Sequence, residues 1–132
     1  EHRYPFELPG GMQQRTAFCR ALIHDPHLIL MDEPLGALDA MTREQLRIDL
    51  EQLWLETRKT VLFVTHSIPE SIQLSDRVVV FTPRPGKIAK VIEINLPRPR
   101  SMKVRESQEF QHYVRELTEI FMGFGVLREN LG

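Results

Sequence analysis

The sequence has little cysteine, little net charge and no long apolar run. Its 132 residues include 17 Lys and Arg and 18 Asp and Glu, a formal charge of −1 at pH 7. No charge excess therefore favours nucleic acid or an anionic membrane surface. The longest apolar runs, such as residues 28–31, have about four residues, against about 20 for a membrane-spanning helix. The single cysteine, Cys19, cannot form an internal disulfide, so we expect a domain of the reducing cytoplasm.

What the sequence does contain is an alternation of helical and extended patterns. Apolar periodicity predicts these elements in order: a helix over 10–23, a strand over 28–31, a helix over 41–58, a strand over 61–65, a short helix over 69–74, strands over 77–82 and 87–94, and a helix that includes 110–121. Because two wholly apolar strands flank a long amphipathic helix, we expect them to pair in parallel through a crossover. This pattern indicates an α/β fold with flanking helices, an edge hairpin and a C-terminal helix.

Two residues are expected to mark helix ends. Thr42, with Gln45 three residues later, fits a capping box at the start of the helix over 41–58. Gly123 fits a C-cap after the last helical pattern.

Several polar residues receive plain structural interpretations. Cys19, beside the apolar face of its helix, is expected to be an inert core thiol. Arg98 and Arg100, in a proline-rich stretch, are expected in a solvated linker. His24 and His27 are expected in a solvated turn, because no nearby Cys or His completes a metal-ligand set.

Polar side chains follow two of the predicted strands. Asp32 and Glu33 end the strand that begins at residue 28, and His66 follows the strand over 61–65. Since ligands of open parallel sheets bind beyond the carboxyl ends of the strands, these side chains are expected at one crevice. There Asp32 could hold Mg²⁺ through water, Glu33 could polarise an attacking water and His66 could donate to a phosphate. Taken singly, each is explained more simply as a turn cap or a polar strand end.

A glycine pair opens the first predicted helix. Gly10 and Gly11 lie within LPGGMQQR, residues 8–15. Glycine lets the backbone approach an anion closely, and the N–H groups at the start of a helix attract it. By itself, such a pair is more often a plain turn.

Four segments together resemble the ATP-binding-cassette (ABC) ATPases. They occur in the family's order and approximate spacing: the signature sequence at 8–15, the Walker B strand at 28–34 (LILMDEP), the D-loop at 36–39 (GALD) and the switch histidine at 64–66 (VTH). Residues 37–43 (ALDAMTR) and 96–100 (LPRPR) further resemble importers for nitrate, sulfonate, taurine and related compounds.

The resemblance implies a P-loop NTPase-type domain that binds and hydrolyses ATP with Mg²⁺. In that family Glu33 would be the general base, His66 the sensor of the γ-phosphate and Asp32 the carboxylate that holds Mg²⁺ through water. The resemblance further implies that the signature segment contacts the ATP of a second subunit, through Leu8, Pro9, Gly10, Gly11, Met12 and Gln13. It also implies a nucleotide contact for Asp39, at the dimer seam.

The implied partners are a second ABC ATPase subunit, in a head-to-tail dimer, and transmembrane permease subunits, with no nucleic acid. The implied location is the cytoplasm, peripheral on the cytoplasmic face of the plasma (inner) membrane.

The sequence departs from the family pattern in two ways. No G-x-x-x-x-G-K-[ST] motif occurs, since the one Gly-Lys pair, Gly86-Lys87, is followed by isoleucine. Because family members carry that motif upstream of the signature, residues 1–100 are expected to be the C-terminal half of a nucleotide-binding domain and 101–132 a helical extension. Pro9 stands where the family has serine, which removes a hydroxyl and a backbone N–H.

Two other functions stay open beside the importer ATPase. An ATPase head of the chromosome-maintenance or double-strand-break-repair type shares the signature and Walker B segments. A truncated, non-catalytic half-domain that only docks to partners is favoured, for the chain by itself, by Pro9 and by the missing phosphate-binding motif.

Overall fold

The computed structural model describes residues 9–36, 38–83 and 85–124, and side chains from residue 15 onward. These residues fall into two compact units, which meet in sequence between His66 and Ser67. The predicted α/β class is confirmed, with a parallel strand pair in the first unit and an antiparallel pair in the second. The domain boundary expected after residue 100 stays a prediction.

The first unit alternates helix and strand. Its elements are α1 (Pro9–Ile23), β1 (Leu28–Asp32), α2 (Ala40–Thr57) and β2 (Thr60–Val64). Helix α1 ends before Pro26, because proline disfavours helical backbone in the residue before it. That residue, Asp25, has a positive φ of 50° and pairs with Lys59. The Lys59 ammonium lowers the pKa of the Asp25 carboxyl.

Strands β1 and β2 pair in parallel, as the sequence predicts. Their register aligns residues 28–32 with residues 60–64 one by one. One face carries four apolar side chains with exposed fractions from 49% to 69%: Leu28, Leu30, Leu62 and Val64. The opposite face includes the buried Ile29. The continuous apolar runs predicted cover on both faces, whereas this chain leaves one face exposed.

Helix α2 begins at a different residue from the one expected. Its N-cap is Asp39, whose carboxylate accepts a hydrogen bond from the backbone N–H of Thr42 at 2.8 Å. The expected capping box led by Thr42 is therefore wrong. Aspartate is among the strongest N-cap residues, and Thr42 lies one turn into the helix that Asp39 begins.

The second unit packs helices on a hairpin. Its elements are α3 (Ile68–Leu74), β3 (Arg77–Phe81), β4 (Ile88–Glu93), a 3₁₀ turn (Met102–Glu106) and α4 (Gln108–Gly123). Strands β3 and β4 pair antiparallel and form a two-stranded sheet of their own. A core of seven buried side chains holds this unit together: Ile72, Val80, Ile92, Ile94, Leu96, Phe110 and Leu117. The cap of α4 is Phe124 rather than Gly123, in right-handed backbone.

The expected solvated linker at 97–100 is wrong, because both of its arginines donate hydrogen bonds to backbone carbonyl oxygens. Arg100 is only 2% exposed, and its guanidinium donates to the carbonyl oxygens of Ile72 and Leu96, each at 2.9 Å. Arg98 donates to the Leu74 carbonyl at 2.7 Å. Both arginines therefore donate hydrogen bonds to carbonyl groups at the end of α3. The last carbonyls of a helix have no N–H partners within the helix itself.

Among the described residues, no helix combines the length and the apolar character needed to cross a bilayer.

We predict that Arg100→Met lowers the free energy of unfolding by about 2–4 kcal/mol, because it removes donors from several buried carbonyl oxygens and each costs about 1–3 kcal/mol when left unpaired. Urea unfolding followed by circular dichroism measures the change. The matched control is Arg77→Met, which removes a surface ion pair with Glu93 at 3.3 Å and should cost at most about 1 kcal/mol. Equal losses in the two variants would contradict a special role for Arg100.

Candidate functional site

Glu33 and His66 come together at the carboxyl end of the parallel strands. The backbone N–H of Glu33 donates to the carbonyl of Val64 at 2.7 Å, which continues the β1–β2 ladder by one residue. His66 lies two residues after Val64, and its Nε2 lies 2.8 Å from Oε2 of Glu33. The contact is an ion pair when the imidazole is protonated. The pair therefore has a defined orientation within one compact unit.

The pair faces solvent. The Glu33 side chain is 40% exposed and that of His66 is 88% exposed. A carboxylate that is held by an imidazole and reachable by water has the arrangement of a general base with an orienting partner. Whether the two residues act in catalysis remains a prediction.

The backbone at Glu33 is unusual, and the sequence did not reveal it. Glu33 has φ 46°, a left-handed conformation that non-glycine residues adopt at a cost of about 1–3 kcal/mol. A turn follows, in which the N–H of Gly36 donates to the Glu33 carbonyl at 3.0 Å. Pro34 and Gly36 are favoured residues at the second and fourth positions of such turns. The sequence therefore predicts the turn, but not the left-handed backbone of Glu33.

Gly36 also lies directly against the Glu33 side chain. A methyl group in place of its hydrogen would lie 3.2 Å from Oε1 of Glu33 and 3.3 Å from its carbonyl oxygen. Only glycine leaves both atoms where they are without a shift. Gly36 is thus part of the site. The sequence analysis names it only as a member of the 36–39 segment and predicts no contact with Glu33.

Asp32, the expected Mg²⁺ carboxylate, is the last residue of β1 and is exposed. Mg²⁺ keeps several of its waters and takes one or two protein carboxylates, and an exposed carboxylate beside Glu33 fits that donor set. The residues present are therefore compatible with Mg²⁺ held through water.

Asp39, expected at the nucleotide and the dimer seam, has a structural role in this chain. Besides the Thr42 backbone N–H, its carboxylate accepts from the Thr42 hydroxyl at 3.0 Å. The backbone and side-chain hydrogen bonds from Thr42 lower the pKa of Asp39. A part in nucleotide binding remains a prediction.

The signature segment lies at the start of α1. Leu8 is outside the described residues. The helix begins at Pro9, which agrees with proline's preference for the first helical position. Gly10, Gly11, Met12 and Gln13 form its first turns, and their contacts with nucleotide remain predictions.

Comparison with known proteins supports the motif reading. A family model described as ABC transporter matches residues 1–36. An aliphatic sulfonates import ATP-binding protein of Bacillus cereus is 46% identical over 131 residues, which are 99% of this chain and 51% of that protein. An uncharacterized ABC transporter ATP-binding protein of Methanocaldococcus jannaschii is 51% identical over 91% of this chain and 44% of that protein.

Over nearly its whole length the chain is therefore similar to ABC transporter ATP-binding proteins. A taurine import ATP-binding protein of Pelagibacter ubique is a further relative, 55% identical over 92 residues, 70% of this chain and 34% of that protein. The chain spans about half the length of the B. cereus and M. jannaschii relatives.

Of the remaining candidates, one expectation is wrong. Cys19 is exposed, because its neighbour Phe18 occupies the inward side of α1 at 2% exposure and the next residue of a helix points about 100° away. His24 and His27 are exposed, as expected for a solvated turn.

We predict that Asp39→Asn reduces the acid sensitivity of the chain. A carboxyl with a lowered folded-state pKa stabilises the fold above its ordinary value of 3.8, and the stabilisation is lost as pH falls through the lower folded value. Asparagine keeps the cap acceptor without the charge. Thermal unfolding between pH 7 and pH 2.5 should show the wild type exceeding the variant at neutral pH, with the gap closing in acid. A constant gap would contradict this account.

Proposed function

We propose that the protein is an ATP-binding and ATP-hydrolysing subunit of an ABC importer for aliphatic sulfonates, taurine, nitrate or a similar compound. The observation that carries the proposal is the Glu33–His66 pair at the carboxyl end of a parallel strand pair. The B. cereus and P. ubique relatives, which are named as import ATP-binding proteins, support the importer class.

In this proposal Glu33 accepts a proton from the water that attacks the γ-phosphate of ATP. The bond between the γ-phosphorus and the bridging oxygen breaks, and the products are ADP and inorganic phosphate. His66 holds the Glu33 carboxylate through Nε2 and is exposed enough to contact a phosphate. Asp32 would hold Mg²⁺ through water, and the ion would neutralise charge on the phosphate oxygens.

The other half of each nucleotide site would come from a second ATPase subunit. We propose that Leu8, Pro9, Gly10, Gly11, Met12 and Gln13 cap the ATP of that subunit in a head-to-tail dimer, with Asp39 at the seam. Helix starts with free N–H groups suit anionic ligands. Closure of the dimer would act on transmembrane permease subunits at the cytoplasmic face of the membrane, without nucleic acid.

A chimaera provides the test. In this importer chimaera, the chain replaces the matching 131-residue segment of the B. cereus sulfonate importer ATPase. We predict that Glu33→Gln lowers its ATP hydrolysis by about 10²–10⁴-fold, the usual contribution of a general base, while ATP-dependent dimerisation persists. Phosphate release and analytical ultracentrifugation measure the two.

The matched control is Glu93→Gln on β4, where the carboxylate pairs with Arg77 at the surface at 3.3 Å. Its hydrolysis rate should equal that of the unmodified chimaera. A rate of ATP hydrolysis in Glu33→Gln equal to that of the unmodified chimaera would show that Glu33 is not the general base.

We also predict that the 132-residue chain alone shows no Mg²⁺-dependent ATPase activity above background. Positioning the β- and γ-phosphates takes the P-loop backbone and lysine, and these residues contain no such motif. Sustained turnover that disappears in Glu33→Gln would contradict this prediction, whereas inactivity of both the chain and the chimaera would favour a docking role.

A further inference from the structure

Arg43, in the first turn of α2, reaches back to the segment that joins β1 to that helix. Its Nε donates to the carbonyl of Leu35 at 3.2 Å, and its Nη2 donates to the carbonyl of Leu38 at 2.8 Å. Both carbonyls lie between Glu33 and Asp39. One guanidinium thus holds the segment at two points, three residues apart.

This segment supplies one of the contacts that hold Glu33. The Leu35 side chain is 2% exposed, which anchors the turn from within. Its neighbour Gly36 donates to the Glu33 carbonyl and lies against the Glu33 carboxylate. Because Glu33 is in left-handed backbone and its side chain is 40% exposed, its direction depends on what fixes the residues after it.

We propose that Arg43 is a positioning residue for ATP hydrolysis, one that keeps Gly36 against Glu33 and thereby holds the Glu33 carboxylate toward His66. The proposal rests on the proposed function. Arg43 itself binds main-chain oxygens of the segment, so it acts through Glu33.

The shape of arginine matters for this role. The planar fork presents several N–H groups in fixed directions, so one side chain reaches two carbonyl oxygens. Lysine keeps the positive charge but offers a single ammonium on a flexible stem. Arg43→Lys should therefore retain part of the anchoring, and Arg43→Met should retain none.

Amide hydrogen exchange on the chain tests the anchoring directly. In Arg43→Met, the Gly36 N–H, which bonds the Glu33 carbonyl, should exchange at least about 10-fold faster, because two charge-assisted bonds are lost and one such bond corresponds to about a tenfold change. The Arg58 N–H, which bonds the Trp54 carbonyl at the far end of α2, is the internal reference and should not change.

Steady-state kinetics on the importer chimaera test the consequence. Arg43→Met should lower kcat about 10-fold or more with KM for ATP within about twofold, since misplacing a reacting group affects the chemical step. Arg43→Lys should fall between. The matched control is Arg58→Met, which removes an arginine bond to the Leu55 carbonyl on the same helix and should leave both constants unchanged.

Each outcome decides the proposal. Unchanged exchange at Gly36, equal acceleration at Gly36 and Arg58, or an unchanged kcat despite faster exchange at Gly36 would each overturn it. If Arg43→Met does not fold, the intermediate position of Arg43→Lys in both measurements carries the test. An unmodified chimaera without ATPase activity counts against the proposed function and the catalytic role together, while selective exchange at Gly36 would still establish the anchoring.

Discussion

The parallel pairing of β1 with β2 is the constraint on which the candidate site depends. Glu33 and His66 are 33 residues apart in sequence, and only the aligned ladder, continued by the bond from the Glu33 N–H to the Val64 carbonyl, ends both strands at one place. Helix α2 supplies the connection that parallel strands need. Through Asp39 and Arg43, its first turn also fixes the segment that follows Glu33.

Much of this arrangement was predictable because it follows from patterns of several residues. The helices, the strands and the parallel pairing come from apolar periodicity and run length, and the meeting of Glu33 with His66 follows from where parallel strands end. The exposed face of the sheet was not predictable in this way. A continuous apolar run has no polar alternation, so it carries no information on which of its faces a given chain covers.

The predictions that were wrong concern single side chains. Their hydrogen-bond partners are distant in sequence, or a neighbouring residue takes the expected position. Arg100 was expected in solvent because its proline-rich neighbours suggest a linker, yet its guanidinium donates to carbonyls at the end of α3, 25 to 28 residues away. At α2, Thr42 was the expected cap, yet the Asp39 carboxylate accepts hydrogen bonds from the N–H and the hydroxyl of Thr42. Phe18 and Cys19 are neighbours in α1, and one helical step is enough to bury Phe18 and expose Cys19. Such choices are settled by packing, which a local pattern does not contain.

Glu33 shows how the local and distant effects combine. A left-handed glutamate is unfavourable by itself, so it persists only where its surroundings determine it from several sides. Its N–H is held by Val64 from β2, its carbonyl by Gly36 from the following turn, and its carboxylate by His66. These three contacts come from a strand pairing, a turn and a residue beyond the second strand. The direction of the carboxylate is therefore a property of the whole unit, which explains why the residue type was readable from the motif while its conformation was not.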